Sequence, residues 1–320
     1  MHKKFFIQNC TEMSFFLVNK FRLCYIGLTI NISLLIYSIT FLRLSQEKPF
    51  RKKDFTLKTR VISASVLIVL VVGCFFISPI TKALLLMLIG ILAAREMCNA
   101  IAHTGAKCVP AILYVCVIAA TAAIYFKADP LIISLIFFLA VFSILTAGIV
   151  SREISGKGAL GTLAVLVYPI VPLLMITEIA ISPDWVPVFA LGCISTWVCD
   201  AFALFGGKWF GKHKFAPDVS PNKTIEGCIS GAVCSVIAGI ILYFALRNSY
   251  NLSLVCCMVT ALICSSFGQI GDLAASLIKR MSGIKDYSNL IPGHGGAMDR
   301  IDSLLFSIPT AYFCIILFTM

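Results

Sequence analysis

The apolar positions of this chain fall in long continuous runs rather than in the alternating pattern of a half-buried strand. Nine runs read as helices, at about 61–78, 80–101, 109–127, 131–150, 160–181, 186–206, 228–246, 252–271 and 303–319. A bilayer crossing needs roughly 20 consecutive apolar residues, and most of these runs reach or approach that length. Membrane barrels are excluded, because their strands alternate lipid-facing and lumen-facing positions. The pattern therefore predicts an all-α, polytopic helical membrane protein with about nine transmembrane helices. Composition agrees: 59% of residues are hydrophobic and 13% charged, against about 25% charged in a soluble domain.

The polar gaps between the runs are of two kinds. Those at 78–82, 128–130, 182–185 and 247–251 are short and carry Lys82, Lys127 and Arg247. The others, at 43–60, 103–108, 151–158, 207–226 and 273–302, hold 18 lysines and arginines against those 3. Lysine and arginine collect on the cytoplasmic side, so the second set is assigned there, with an inner-membrane, multi-pass placement. The net charge of +11 is thereby a matter of topology and needs no nucleic acid. Residues 23–42 are apolar enough to form a tenth helix. Spanning there would place Lys3, Lys4, Lys20 and Arg22 outside, against the charge rule, so an extra helix and an interfacial segment stay open. No small-residue cleavage site follows that run, so it does not read as a signal peptide. The 14 cysteines form no CxxC pair and lie mostly within apolar runs. They predict packing rather than disulfides or zinc.

Chemistry concentrates in the two long cytoplasmic segments. Asp272 closes an apolar run, where a carboxylate is costly unless solvated, paired or bound to a cation. Asp299 and Asp302 are three apart and share a face if the last helix has begun. Two carboxylates about 5 Å apart repel by about 3 kcal/mol at an effective dielectric near 20. A hard cation such as Mg²⁺ relieves that repulsion; helix capping is the competing explanation. Gly293, Gly295 and Gly296 surround His294 after Pro292, a turn able to present backbone N–H groups to an anion. Segment 206–227, "GGKWFGKHKFAPDVSPNKTIEG", packs Lys208, Lys212, Lys214 and Lys223 into one loop. It reads as a phosphate clamp or as an ordinary basic loop on lipid headgroups. It is not a P-loop, because His213 stands where Ser or Thr must reach the metal. Ser220 and Lys223 match SxxK without the companion motifs of penicillin-binding enzymes. Asp200, inside an apolar run, is a further candidate, whereas Arg95 and Glu96 read as snorkelling to the interface.

Carboxylates, phosphate-binding cations and a glycine turn on one face are what metal-assisted phosphoryl or nucleotidyl transfer requires. At a bilayer surface they imply one soluble phosphate substrate and one lipid. An ion-coupled transporter is the reading from another class, but no repeated halves are visible and the polar residues lie in loops rather than at the midplane.

The stretch "SLIKRMSGIKDYSNLIPGHGGAMDRID", 276–302, resembles the signature of the phosphatidate cytidylyltransferase (CDP-diacylglycerol synthase) family. Ser276, Lys279, Arg280, Lys285, Asp286, Pro292, His294, Gly295, Gly296, Asp299, Arg300 and Asp302 fall in register with it. "FGKHKFAPDVSPNKTIEG", 210–227, and the helix start "LKTRVISASVLI", 57–68, are similar to two further stretches of the family. The resemblance covers residues 57–320 as a membrane-embedded domain and leaves 1–56 as an N-terminal extension. Two departures stand out: Ala297 where the family has a bulky aliphatic residue, and Phe202 and Leu204 after Asp200 where it reads Gly and Tyr.

The resemblance implies transfer of CMP from CTP to phosphatidate, giving CDP-diacylglycerol and pyrophosphate. A CTP-dependent enzyme acting on another lipid phosphate or a lipid alcohol is the alternative. It implies Mg²⁺ with K⁺ held by Asp272, Asp299 and Asp302. Lys279, Arg280 and Arg300 would act at the reacting phosphates. Lys212, Lys214, Ser220, Lys223, Thr224, Lys285, Asp286, His294, Gly295 and Gly296 would bind substrate. The partners implied are CTP, the lipid bilayer with its phosphatidate, and a second copy in a homodimer.

Overall fold

In a computed structural model of the protein, the described residues are 57–151, 154–290 and 295–319. The expectations for residues 1–56 and for Arg152, Pro292, Gly293 and His294 lie outside them. Each of the nine predicted runs forms a helix. In chain order these are α1 (Leu57–Ile77), α2 (Pro79–Ala102), α3 (Pro110–Tyr125), α4 (Pro130–Val150), α5 (Gly156–Ile181), α6 (Trp185–Phe210), α7 (Ile225–Leu246), α8 (Leu254–Met281) and α9 (Met298–Thr319). Seven of them, α2 and α4–α9, are long and apolar enough to cross a membrane among the described residues. The apolar stretch Ser65–Ile77 of α1 and the 16-residue α3 are shorter. The protein is a polytopic all-α membrane protein.

Local sequence sets the helix starts. Helices α2, α3 and α4 begin on Pro79, Pro110 and Pro130, where a missing N–H costs nothing. Ser78 and Thr81 form a capping box, and Asp129 accepts from the Leu131 amide at 2.8 Å. Helix α5 is broken by a π-turn at Leu166–Ile170, where Tyr168 is extended beside Pro169. The break directs the Tyr168 hydroxyl to the Gly271 carbonyl of α8, 3.3 Å away. Helix α9 is likewise interrupted after Ile301, at Asp302 and Ser303.

Most helix boundaries lie a few residues from the sequence reading, and two of these shifts bear on the site. Helix α6 runs on to Phe210 and α8 to Met281, past the apolar runs that ended near 206 and 271. Hydropathy marks where lipid contact stops, not where backbone pairing stops. "DLAASLIKRM" contains good helix formers, and Lys279 and Arg280 sit in the last turn, where they oppose the helix dipole. Asp272 therefore lies inside α8 rather than at its end. Residues 207–226 are not wholly irregular: β1 (Lys214–Ala216) pairs antiparallel with β2 (Ser220–Thr224), Lys214 opposite Thr224.

Helices α6 and α7 pack through small residues, as membrane helices do when no hydrophobic drive separates helix from lipid. A Cβ on Gly227 would stand 2.5 Å from the Ala203 carbonyl oxygen, and one on Gly231 2.6 Å from that of Cys199. Ser235, one turn further, donates to the Ser195 carbonyl at 2.7 Å. Helix α4 by contrast fully buries only Ala140 and Ile144 and leaves most of its other side chains exposed, Phe138 among them. Replacing Gly231 with Val should force α6 and α7 apart at a cost of about 2 kcal/mol or more. The expected outcome is a lower thermal midpoint in detergent and less monodisperse protein, whereas Phe138→Val on the lipid face of α4 should leave both unchanged.

Candidate functional site at one end of the bundle

The β-hairpin and the segment after α8 meet at the same end of the helices. The Lys223 ammonium lies 2.8 Å from Asp272 Oδ2 and donates to the Gln269 carbonyl at 3.3 Å. The Arg280 Nε donates to the Val219 carbonyl at 3.3 Å. Glu226, in the first turn of α7, ties down the hairpin's start. Its carboxylate accepts from the Lys212 and His213 amides and sits 2.7 Å from the His213 ring. Thr224 is buried, its hydroxyl accepting from the Gly227 amide as the N-cap of α7. Ser220 is half-buried on β2, and Lys212 and Lys214 are exposed.

The segment between α8 and α9 is organised around two carboxylates. Asp299 Oδ1 accepts from the Lys279 ammonium at 2.8 Å, with the two side chains 8% and 12% exposed. Its Oδ2 accepts from the amides of Tyr287 and Gly296, both at 3.0 Å. Tyr287 is buried, and its hydroxyl donates to the Ala275 carbonyl. Burial, and after it the carboxylate of Asp299, pushes this phenol above its ordinary range, so it stays protonated as a donor. Gly295 has φ 82°, a left-handed conformation that glycine adopts without strain.

The second carboxylate is Glu96, from α2. It is 4% exposed. Oε1 accepts from the Ser288 hydroxyl at 2.6 Å and from the Ala297 amide at 3.0 Å, and Oε2 from the Met298 amide at 2.8 Å. The snorkelling expectation for Glu96 is thus overturned: the side chain turns inward and caps the start of α9. At its described end, the glycine turn offers its amides to partners within the protein. The Gly296, Ala297 and Met298 amides, expected to face an anion, are engaged by the protein's own carboxylates. A helix N-terminus attracts any nearby acid, and here two are supplied from within.

Asp302 is buried where α9 breaks, with Oδ1 accepting from the Ser303 amide at 2.7 Å. Its backbone carbonyl packs so closely on Gly271 that a Cβ there would stand 2.5 Å away. Asp302 and Asp272 therefore flank one helix contact. The three aspartates do not converge as one ligand set: among the described residues no three His, Cys, Asp or Glu side chains are grouped to hold a metal ion. Two of the three carry lysine partners instead. Mg²⁺ needs only one or two carboxylates when phosphate oxygens and water complete its shell, a requirement that Asp272 and Asp302 suit. Lys285, Asp286, Arg280, Arg300 and Asp200 are exposed.

A family model described as the cytidylyltransferase family matches residues 58–318. The chain belongs to the cytidylyltransferase family. Among its relatives, the phosphatidate cytidylyltransferase of Staphylococcus haemolyticus is 45% identical over 113 residues, 35% of this chain and 43% of that protein. The protein of that name from Bacillus subtilis is 42% identical over 127 residues, 40% of this chain and 46% of that protein. The one from Staphylococcus aureus strain COL is 46% identical over 114 residues, 35% and 43% of the two chains. The chain thus spans a little under half the length of the curated relatives it matches.

Of the residues that the sequence singled out, Lys223, Asp272, Lys279, Asp299 and Asp302 come together with Gly295 and Gly296. Glu96 was missed as a member of this group. Its signal was an acid in an apolar helix of this family member, which sequence distance alone could not connect to Met298. The Lys223–Asp272 pair is partly exposed, so breaking it should cost about 1 kcal/mol. Lys223→Met is expected to loosen the hairpin and speed tryptic cleavage after Lys212 and Lys214 about fivefold, with no change at other sites apart from loss of the site at 223 itself. An unchanged digestion rate would show that the pair does not hold the hairpin.

Proposed function

We propose that the protein is a CTP:phosphatidate cytidylyltransferase working at the cytoplasmic face of a cell's inner membrane. The observation that carries the reading is the family match over residues 58–318, supported by relatives named phosphatidate cytidylyltransferase. In the proposed reaction a phosphate oxygen of phosphatidate attacks the α-phosphorus of CTP. The new P–O bond forms as the bond to the β-phosphate breaks, giving CDP-diacylglycerol and pyrophosphate. The lipid phosphate is already anionic, so no strong general base is needed.

The chain's own residues have roles that follow from their charges. Lys279, Arg280 and Arg300 would neutralise phosphate charge, which grows on the leaving pyrophosphate. Lys223, released from Asp272, together with Lys212 and Lys214, would hold the triphosphate or the lipid headgroup as point charges. Ser220, Thr224, Lys285, Asp286, His294, Gly295 and Gly296 would shape the substrate site around them. Asp272 and Asp302 would hold Mg²⁺, which supplies charge neutralisation to the phosphates when bound, with Asp299 and K⁺ completing the proposed set. A homodimer in the bilayer belongs to the same proposal.

The test is turnover by purified protein in mixed micelles of phosphatidate. CDP-diacylglycerol should accumulate with CTP and Mg²⁺ and stop when a chelator is added. Asp299→Asn should lower kcat/KM about 100-fold or more, because it removes a charged acceptor from a buried lysine and two amides. No product from the unaltered protein, or undiminished turnover by Asp299→Asn, would overturn the reading.

A further inference from the structure

We infer that Glu96 is a positioning residue for the reaction proposed above, holding the start of α9, the helix that carries Asp299 and Asp302; the inference rests on that cytidylyltransferase reading. Glu96 is separated by 192, 201 and 202 residues from the three donors it binds. It therefore fastens the segment between α8 and α9 to a different helix, α2.

The two carboxylates of this region interlock. Asp299 takes the amide of Tyr287 and the amide of Gly296. Glu96 takes the hydroxyl of the next residue, Ser288, and the amides of the next two, Ala297 and Met298. The same two stretches of backbone are thus clamped twice, once from within α9 and once from α2. Asp299 sits in the first turn after the amides that Glu96 holds, and Asp302 follows one turn later. Loosening the clamp at Ala297 and Met298 would let both aspartates move relative to Lys279 and Asp272.

A carboxylate suits this position better than any neutral side chain. It is acceptor-only and offers two oxygens to three donors. Glutamine has the same shape but one acceptor, and its NH₂ would face an amide N–H. The helix N-terminus adds a favourable field for the negative charge. Glycine at 296 is part of the same arrangement, because a Cβ there would stand 2.5 Å from Glu96 Oε2.

The experiment compares the full-length protein with Glu96→Gln and Ser288→Ala in lipid nanodiscs, reading hydrogen–deuterium exchange and steady-state kinetics. Glu96→Gln should raise amide exchange in 295–303 about tenfold while peptides of α4 and α7 stay as they were. It should lower kcat about tenfold or more, with KM for CTP within about threefold. Ser288→Ala leaves both backbone bonds to Glu96 and should change kcat less than about threefold. Exchange in 295–303 that matches the unaltered protein would overturn the inference. So would raised exchange with unchanged kcat, which would make Glu96 a cap and nothing more. If Glu96→Gln does not fold, Glu96→Asp, which keeps the charge but draws the oxygens back from the Ala297 and Met298 amides, must give the same paired outcome. Absence of CDP-diacylglycerol formation by the unaltered protein would instead count against the proposed function, and the exchange comparison would still report on the clamp.

Discussion

A carboxylate drawn out of water at the edge of a bilayer persists only when donors surround it. This end of the protein is built on two that meet that condition. Glu96 and Asp299 gather five backbone and side-chain donors besides the Lys279 ammonium. In doing so they hold Tyr287 and Ser288 against the start of α9. The start of α9, the depth of Asp302 and the burial of Tyr287 all depend on that arrangement. Removing one partner would leave the other charges buried and uncompensated, which is why such sites are rigid.

Around this centre the lysines distribute the opposite charge. Lys279 is committed to Asp299, whereas Lys223 is shared between Asp272 and a backbone carbonyl at the rim. The first pair is nearly enclosed and the second is partly wet. A phosphate arriving from solution would meet the rim pair first, and the exposed Lys212 and Lys214 on the hairpin would draw it there. The hairpin itself is held by Glu226, Arg280 and the Lys223–Asp272 pair, so these lysines are presented from an ordered element rather than from a free loop.

Much of this was legible in the sequence. Continuous apolar runs located all nine helices, because lipid contact imposes a length and a composition that leave a strong trace. Charge asymmetry puts segments 207–226 and 273–302 on one side, and the Arg280–Val219 contact does join them. Helix ends were less legible. Asp272 was read as a helix end, since hydropathy falls there, yet backbone pairing continues to Met281. Glu96 was misread for a related reason. An acid near a helix terminus looks the same whether it reaches for water or for amides 200 residues away, and only the packing of α2 against α9 distinguishes the two. The amides at 296–298 read as open to an anion because sequence does not reveal that internal acids already engage them.

The central claim is that these residues serve transfer of a nucleotidyl group to a lipid phosphate. The most direct measurement follows the label of CTP carrying ³²P at either the α or the γ position, incubated with phosphatidate and the purified protein. The α-label is expected in the organic phase as CDP-diacylglycerol and the γ-label in the aqueous phase as pyrophosphate. Recovery of γ-label in the lipid would contradict it, because phosphate rather than CMP would then have been transferred.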